Sequence, residues 1–364
     1  MALNELINMS RVTYLLGAGA SCGNWCNNDI LVNRKRGVPV IGKFHEALEI
    51  LINELSSTSM NAFRSHEEIT SLSVEQVKQL VNYLKYLKEK CDEYPTIDTF
   101  SKQIYVNPIS DFDNLGISSY KFVKKILSVF FFLIQDITRR DSRYDGFLAS
   151  VLSSHGAFPS INILSWNYDT QFEMAYAGYL PKDKDIEYIW DELNVLNKTY
   201  IATDYEKTKN IGFFKLNGTA FFINKNNKYS TLKGEIFSKI VDCFWKDYSE
   251  DKYSVAYELL FNNNYESTLS YVWEENRLNQ LLNSIKERTY DTEELIIIGY
   301  SFPYVNRDVD TTILNNMPNL KCIHIQDPAY NDIQERISSM LDSTIDVKYK
   351  RHSNLNQFYI PNYF

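Results

Sequence analysis

Leu295-Ile296-Ile297-Ile298 places four aliphatic residues in succession, three of them β-branched, between Glu294 and the turn Gly299-Tyr300-Ser301-Phe302-Pro303. A strand with one wet face alternates apolar and polar residues, whereas an unbroken run must be covered on both faces, as in the interior of a parallel sheet. Four further β-rich runs read as strands: Arg11 to Leu16, Ile161 to Trp166, Ile211 to Leu216 and Leu320 to Ile325. Each ends in a glycine or polar turn: Gly17-Ala18-Gly19-Ala20-Ser21, Asn167-Tyr168-Asp169, Asn217-Gly218-Thr219 and Gln326-Asp327-Pro328. Strands that alternate with helical patterns and end in such turns predict an α/β fold, a Rossmann-like doubly wound parallel sheet whose ligand face lies at the carboxyl ends of the strands.

Between the strands the pattern changes period. Apolar residues recur at helical spacing in Val74 to Leu87 and in Phe122 to Ile137, so residues 56-152 are expected to form a helical insertion in a core made of 1-55 and 153-364. Within it, Thr96-Ile97-Asp98-Thr99-Phe100 reads as a helix start capped by Thr96 or Asp98. Residues 221-290, rich in Asn, Lys and Tyr and mostly helical in pattern, are expected to form a lid. A chain of 364 residues is long enough for this division.

Charge and cysteine usage remove several classes of function. The net charge of -8 and the lack of a long basic stripe argue against direct nucleic-acid binding. Arg34-Lys35-Arg36 is a local basic patch and reads as a solvated loop. Five scattered cysteines without paired C-x-x-C modules fit neither a disulfide framework nor a zinc site, so no metal and a reducing cytoplasm are expected. The start of the chain lacks the features of a signal peptide, and the longest nearly apolar run, Ile126 to Ile134, is too short to span a bilayer.

The glycine turn after the first strand has the form of a nucleotide-binding βαβ opening, in which glycines permit close approach to a pyrophosphate. The third glycine of the dehydrogenase fingerprint is replaced by Cys22, with Gly23 one residue later, which disfavours hydride transfer. Asn167 and Asp169 place an amide and a carboxylate at a second strand end, and Asn217 places another amide at a third. No histidine is positioned to act as a base: His45 and His66 fall in peripheral helical segments, His155 at the amino end of a strand, His324 within a buried strand and His352 in the tail.

The five segments Gly17 to Ser21, Gly37-Val38-Pro39, Trp166-Asn167-Tyr168-Asp169, Lys215-Leu216-Asn217-Gly218 and Ile298-Gly299-Tyr300-Ser301-Phe302, in this order, resemble the sirtuin-like NAD-consuming domains of bacterial anti-phage defence proteins. The resemblance covers the core from about Val12 to Asp327 and leaves both insertions unmatched. It implies an NAD+ hydrolase that yields nicotinamide and ADP-ribose, works without a metal, and acts as an oligomer or with a ring-forming ATPase. By the same resemblance Gly17, Ala18, Gly19 and Ser21 hold the pyrophosphate, Asn167 and Asp169 act beside the nicotinamide ribose, and Gly299, Ser301 and Asp327 meet the adenosine half. The family's usual K-L-H-G becomes Lys215-Leu216-Asn217-Gly218 here, and an asparagine cannot accept a proton. A module that binds NAD or ADP-ribose without turning it over is the alternative expectation.

Overall fold

The computed structural model describes residues 11–25, 27, 31, 34–61, 70–109, 112, 115, 117–181, 184, 186–198, 209–224, 251–274 and 278–362. The first ten residues, Cys26, His66 and residues 225–250 of the expected lid lie outside the described residues.

The chain opens with β1 (Val12–Leu16) and then builds α1 (Phe44–Asn61), α2 (Val74–Glu93), α3 (Ile97–Val106), α4 (Ser119–Ile137) and α5 (Ser142–Val151). It returns to the sheet with β2 (Ile161–Ser165), followed by α6 (Gln171–Ala177), α7 (Ile186–Glu192), β3 (Val195–Asn197) and β4 (Ile211–Lys215). Next come a hairpin of β5 (Gly218–Asn224) and β6 (Tyr265–Leu269) with α8 (Lys252–Phe261) between its strands, and then α9 (Leu278–Thr289). The last elements are β7 (Glu294–Ile298), α10 (Arg307–Asn315), β8 (Cys322–Gln326), α11 (Tyr330–Ser338) and β9 (Lys348–Arg351).

Seven strands form one parallel sheet in the order β3-β4-β2-β1-β7-β8-β9. The fold is therefore α/β and Rossmann-like. The chain runs outward from β1 on one side and then crosses back to β7, so the strand order reverses between β1 and β7, where such sheets bind ligands. Register aligns the carboxyl ends: Leu16 pairs with Ser165 and Ile298, Ser165 with Lys215, and Ile298 with Gln326. The turns that follow therefore start in one row.

Both faces of the sheet are covered, which is why β1, β2, β4 and β8 are buried at every residue. On one face Leu15, Leu164, Ile297 and Ile325 pack with Leu281 and Ile285 of α9, Ile313 of α10 and Ile337 of α11. On the other, Tyr14 meets Phe147 of α5 and Phe213 meets Phe172 of α6. The two edge strands lack the patterns that announce the others. β3 is three residues long, and β9 is Lys348-Tyr349-Lys350-Arg351, a charged edge of the kind that resists pairing with another sheet.

Helix α4 is apolar nearly all round and buried from Phe122 to Gln135, as a helix at the centre of a bundle must be. Around it pack α1, α2, α3, α8 and both strands of the β5–β6 hairpin. Residues expected to form a lid thus divide: the hairpin and α8 join the helical body, and α9 covers the sheet. Similarly, α1 packs with the helical body while α5 packs against α6 beside the sheet, and one apolar cluster runs without a break through both layers. Among the described residues no helix is long and apolar enough to cross a membrane.

Candidate functional site

A cavity with about 730 Å³ of empty space, open solvent at its mouth included, lies over the carboxyl ends of β1, β2, β4 and β7. The turn after β2 supplies Trp166, Asn167, Tyr168 and Asp169, the end of β4 supplies Asn217, and the segment after β7 supplies Gly299, Tyr300, Ser301, Pro303 and Asn306. Ala18 comes from the turn after β1, Val38, Pro39 and Ile41 from the segment that leads into α1, Phe44 from the start of α1, and Ile97, Asp98 and Phe131 from the helical body.

Six of the ten residues expected at a site meet here: Ala18, Asn167, Asp169, Asn217, Gly299 and Ser301. Gly17, Gly19 and Ser21 do not line it. Gly17 N donates to Ile298 O (3.0 Å), Gly19 N to Gly299 O (2.9 Å) and Ser21 N to Ala18 O (3.2 Å), so these amides are used within the fold. A Cβ on Gly17 would lie 2.5 Å from Gly299 O, and one on Gly299, whose φ is +60°, would lie 2.4 Å from the Gly19 backbone. These glycines let two turns interlock at the point where strand order reverses. Arg143 reinforces the junction, donating to Gly19 O (2.9 Å) and Ala20 O (3.2 Å) while paired with Asp141 (2.6 Å). Asp327 stands apart at the end of β8, where its Oδ1 accepts from Ala329 N (2.8 Å).

Each polar group of the cavity is held by the fold. Asn167 Nδ2 donates to Ser21 Oγ (3.0 Å), and Ser21 Oγ in turn meets Tyr144 Oη (2.8 Å). With its nitrogen engaged, Asn167 has its carbonyl oxygen available to a ligand. Asp169 Oδ1 accepts from Gln171 N (3.0 Å), and Lys215 Nζ donates to the Asp169 carbonyl (2.5 Å) and to Glu173 Oε1 (3.1 Å). Burial pushes the Asp169 carboxyl up from its ordinary range, and nearby Lys215 opposes that shift. Asn217 is buried, and its Oδ1 has no hydrogen-bond partner among the described residues. An orphaned acceptor in a cavity wall fits a ligand hydroxyl or amide, because leaving it unpaired costs about 1–3 kcal/mol.

Three contributors are less legible from the sequence. Thr96 Oγ1 accepts from Thr99 N and so caps α3, which frees Asp98 from the capping role and leaves it facing the cavity. Tyr168 Oη donates to Asp98 Oδ1 at 2.5 Å. Burial raises the Asp98 carboxyl to about 6, with the Tyr168 hydrogen bond opposing the shift. Tyr300 stacks on Trp166 with centroids 5.7 Å apart and donates to Asp310 Oδ2 (2.8 Å). Burial raises Asp310 to about 8. The redundancy of two possible caps in Thr96 to Asp98 was the available signal for Asp98.

Among the described residues no histidine lines this cavity. His45 lies in an adjoining cavity that shares Ile41, Phe44 and Ile97, and pairs with Asp92 (2.6 Å). His155 is exposed at the amino end of β2, and His324 is buried against His352 (2.8 Å) far along β8. Lys35, read as part of a solvated patch, is instead buried, donating to Asn27 O (2.7 Å) and Trp25 O (3.3 Å). Among the described residues no group of three or more His, Cys, Asp or Glu could hold a metal ion.

Fold and cavity together define a Rossmann-like α/β protein with a polar-floored, apolar-walled cavity at the carboxyl ends of its central strands. In comparisons with known proteins, no family model matches the chain and no curated protein does.

Proposed function

We propose that this chain is an NAD+ hydrolase, cleaving the nicotinamide N-glycosidic bond to give nicotinamide and ADP-ribose. The observation that carries the reading is the convergence of Asn167, Asp169 and Asn217 from two strand ends on one cavity bordered by Ala18, Gly299 and Ser301. A ribose offers hydroxyls to the Asn167 and Asn217 carbonyl oxygens, and apolar walls such as Phe44, Phe131 and Trp166 suit a flat ring. Cleavage develops positive charge at C1' of the ribose, which the Asp169 carboxylate stabilises. Nicotinamide leaves as a neutral molecule, so positioning and charge stabilisation supply much of the catalysis. By the resemblance of its motifs, the chain serves anti-phage defence in the cytoplasm by depleting NAD+. It works there as a homo-oligomer or with a ring-forming ATPase that holds the activity in check.

A second reading has its own support. Asn217 cannot serve as a base, and the amides of Gly17, Gly19 and Ser21 are already committed within the fold. Both facts favour an NAD or ADP-ribose sensor without turnover. Nicotinamide release from NAD+, followed by chromatography for the protein alone and with its genomic neighbour, separates the two. The hydrolase releases nicotinamide, and Asn167→Ala lowers the rate by about 100-fold or more. NAD+ binding without release in either preparation removes the hydrolase reading.

A further inference from the structure

We propose that Asp98, carried by the helical body rather than by the sheet, is the general base of this site and takes the proton of the water that attacks the ribose. The inference rests on the NAD+ hydrolase reading. Only two carboxylates line the cavity among the described residues, Asp98 and Asp169, while Asn167 and Asn217 are amides that cannot accept a proton. The Asp169 carboxylate is the more enclosed of the two: its Oδ1 accepts from Gln171 N (3.0 Å), the residue is 4% exposed, and the hydrolase reading already assigns it to the charge at C1'. Asp98 has one oxygen engaged, Oδ1 by Tyr168 at 2.5 Å, and is only partly buried, so Oδ2 is open to water in the cavity.

The position of Asp98 is built rather than incidental. Thr96 caps α3, Ile97, Phe100 and Ile104 bury its inner face, and Ser101 Oγ meets Tyr271 Oη (3.1 Å), so the first turn is anchored. The titratable groups that face Asp98 from other elements are phenols: Tyr168 after β2, Tyr271 after β6 and Tyr300 after β7. Burial pushes all three well up, so they stay neutral in the working range and only donate or pack. Burial of Asp98 itself raises its carboxyl to about 6, near where a base is most effective at neutral pH.

The step balances. The C1'–N bond breaks with its electron pair going to the nicotinamide nitrogen, a water oxygen bonds to C1', and the released water proton passes to Asp98 Oδ2 and on to solvent. Tyr168 holds Oδ1 so that Oδ2 faces the water.

The test compares wild type, Asp98→Asn and Tyr168→Phe in the preparation that releases nicotinamide, measuring kcat against pH and the NAD+ dissociation constant by calorimetry. In wild type kcat rises with pH through about 6 and levels off, since the base must be ionised. Asp98→Asn lowers kcat by about 100-fold or more and removes that limb, with NAD+ affinity changed less than about threefold. Tyr168→Phe removes a hydrogen bond that favours the carboxylate, so the limb moves to higher pH. Release by wild type together with an unchanged limb in Asp98→Asn overturns the base assignment alone. Binding without any release from wild type overturns the hydrolase reading, and the base assignment with it.

Discussion

The turns after β1 and β2 begin level with each other, one residue beyond the paired Leu16 and Ser165, yet they use their polar groups in opposite ways. After β1, Gly17, Gly19, Ala20 and Ser21 all donate their backbone N–H to carbonyls inside the molecule, and only Ala18 reaches the cavity. After β2, Asn167, Tyr168 and Asp169 all reach it. The difference teaches that a glycine motif and a chemical site are separate properties. The first turn is a joint between β1 and β7, and the second is the proposed working surface, with the joint's Ser21 holding Asn167 in place.

If that division is right, damage to the joint is the most severe. Gly299→Ala puts a Cβ 2.4 Å from the Gly19 backbone at a residue whose φ is +60°. A loss of about 3 kcal/mol or more in denaturant unfolding is expected, and a loss below about 1 kcal/mol would mean that the turns do not interlock.

A smaller effect tests the support behind the working surface. Asp310, under Tyr300, is raised to about 8 by burial, so it folds best when neutral. A carboxyl raised above its unfolded value near 4 contributes stability at low pH that is lost as pH rises toward 8. Asp310→Asn removes this dependence and gains on the order of 1 kcal/mol over wild type at pH 9, read from melting curves across pH. Equal pH profiles for the two proteins would place the Tyr300 wall outside any charge-sensitive support.

The smallest stability change is expected on the working surface itself. Asn217 Oδ1 has no partner among the described residues, so Asn217→Ala removes an unmet acceptor and alters stability by less than about 1 kcal/mol. On the proposed reading, NAD+ affinity, measured by calorimetry, falls by about tenfold. A large loss of stability with affinity intact would return Asn217 to a structural role.

The central strands were legible because a doubly buried strand announces itself: Ile161 to Ser165, Ile211 to Lys215 and Leu295 to Ile298 are apolar without alternation, apart from Asn162, Gly212 and the two terminal polar residues. β3 and β9 were not, since an edge strand needs only one neighbour and carries little pattern. The hairpin of β5 and β6 was hidden within a segment of helical character, and its burial is decided by α4, far away in sequence. Asn167, Asp169 and Asn217 could be marked because they follow strands whose ends could be located. Asp98 could not, because a helix N-terminus rich in Thr and Asp looks the same whether the aspartate caps or faces a cavity.

By itself the sequence determined that this chain builds a parallel sheet and which residues stand at the ends of its central strands, because continuous burial and turn chemistry are local demands. Tertiary structure alone decided that the glycines serve as a joint, that Lys35 is buried on carbonyls, and that Asp98 meets Tyr168 across 70 residues of chain. Those outcomes depend on which surfaces pack together. A close approach or a hydrogen bond is a property of two segments, and neither segment carries the signal alone.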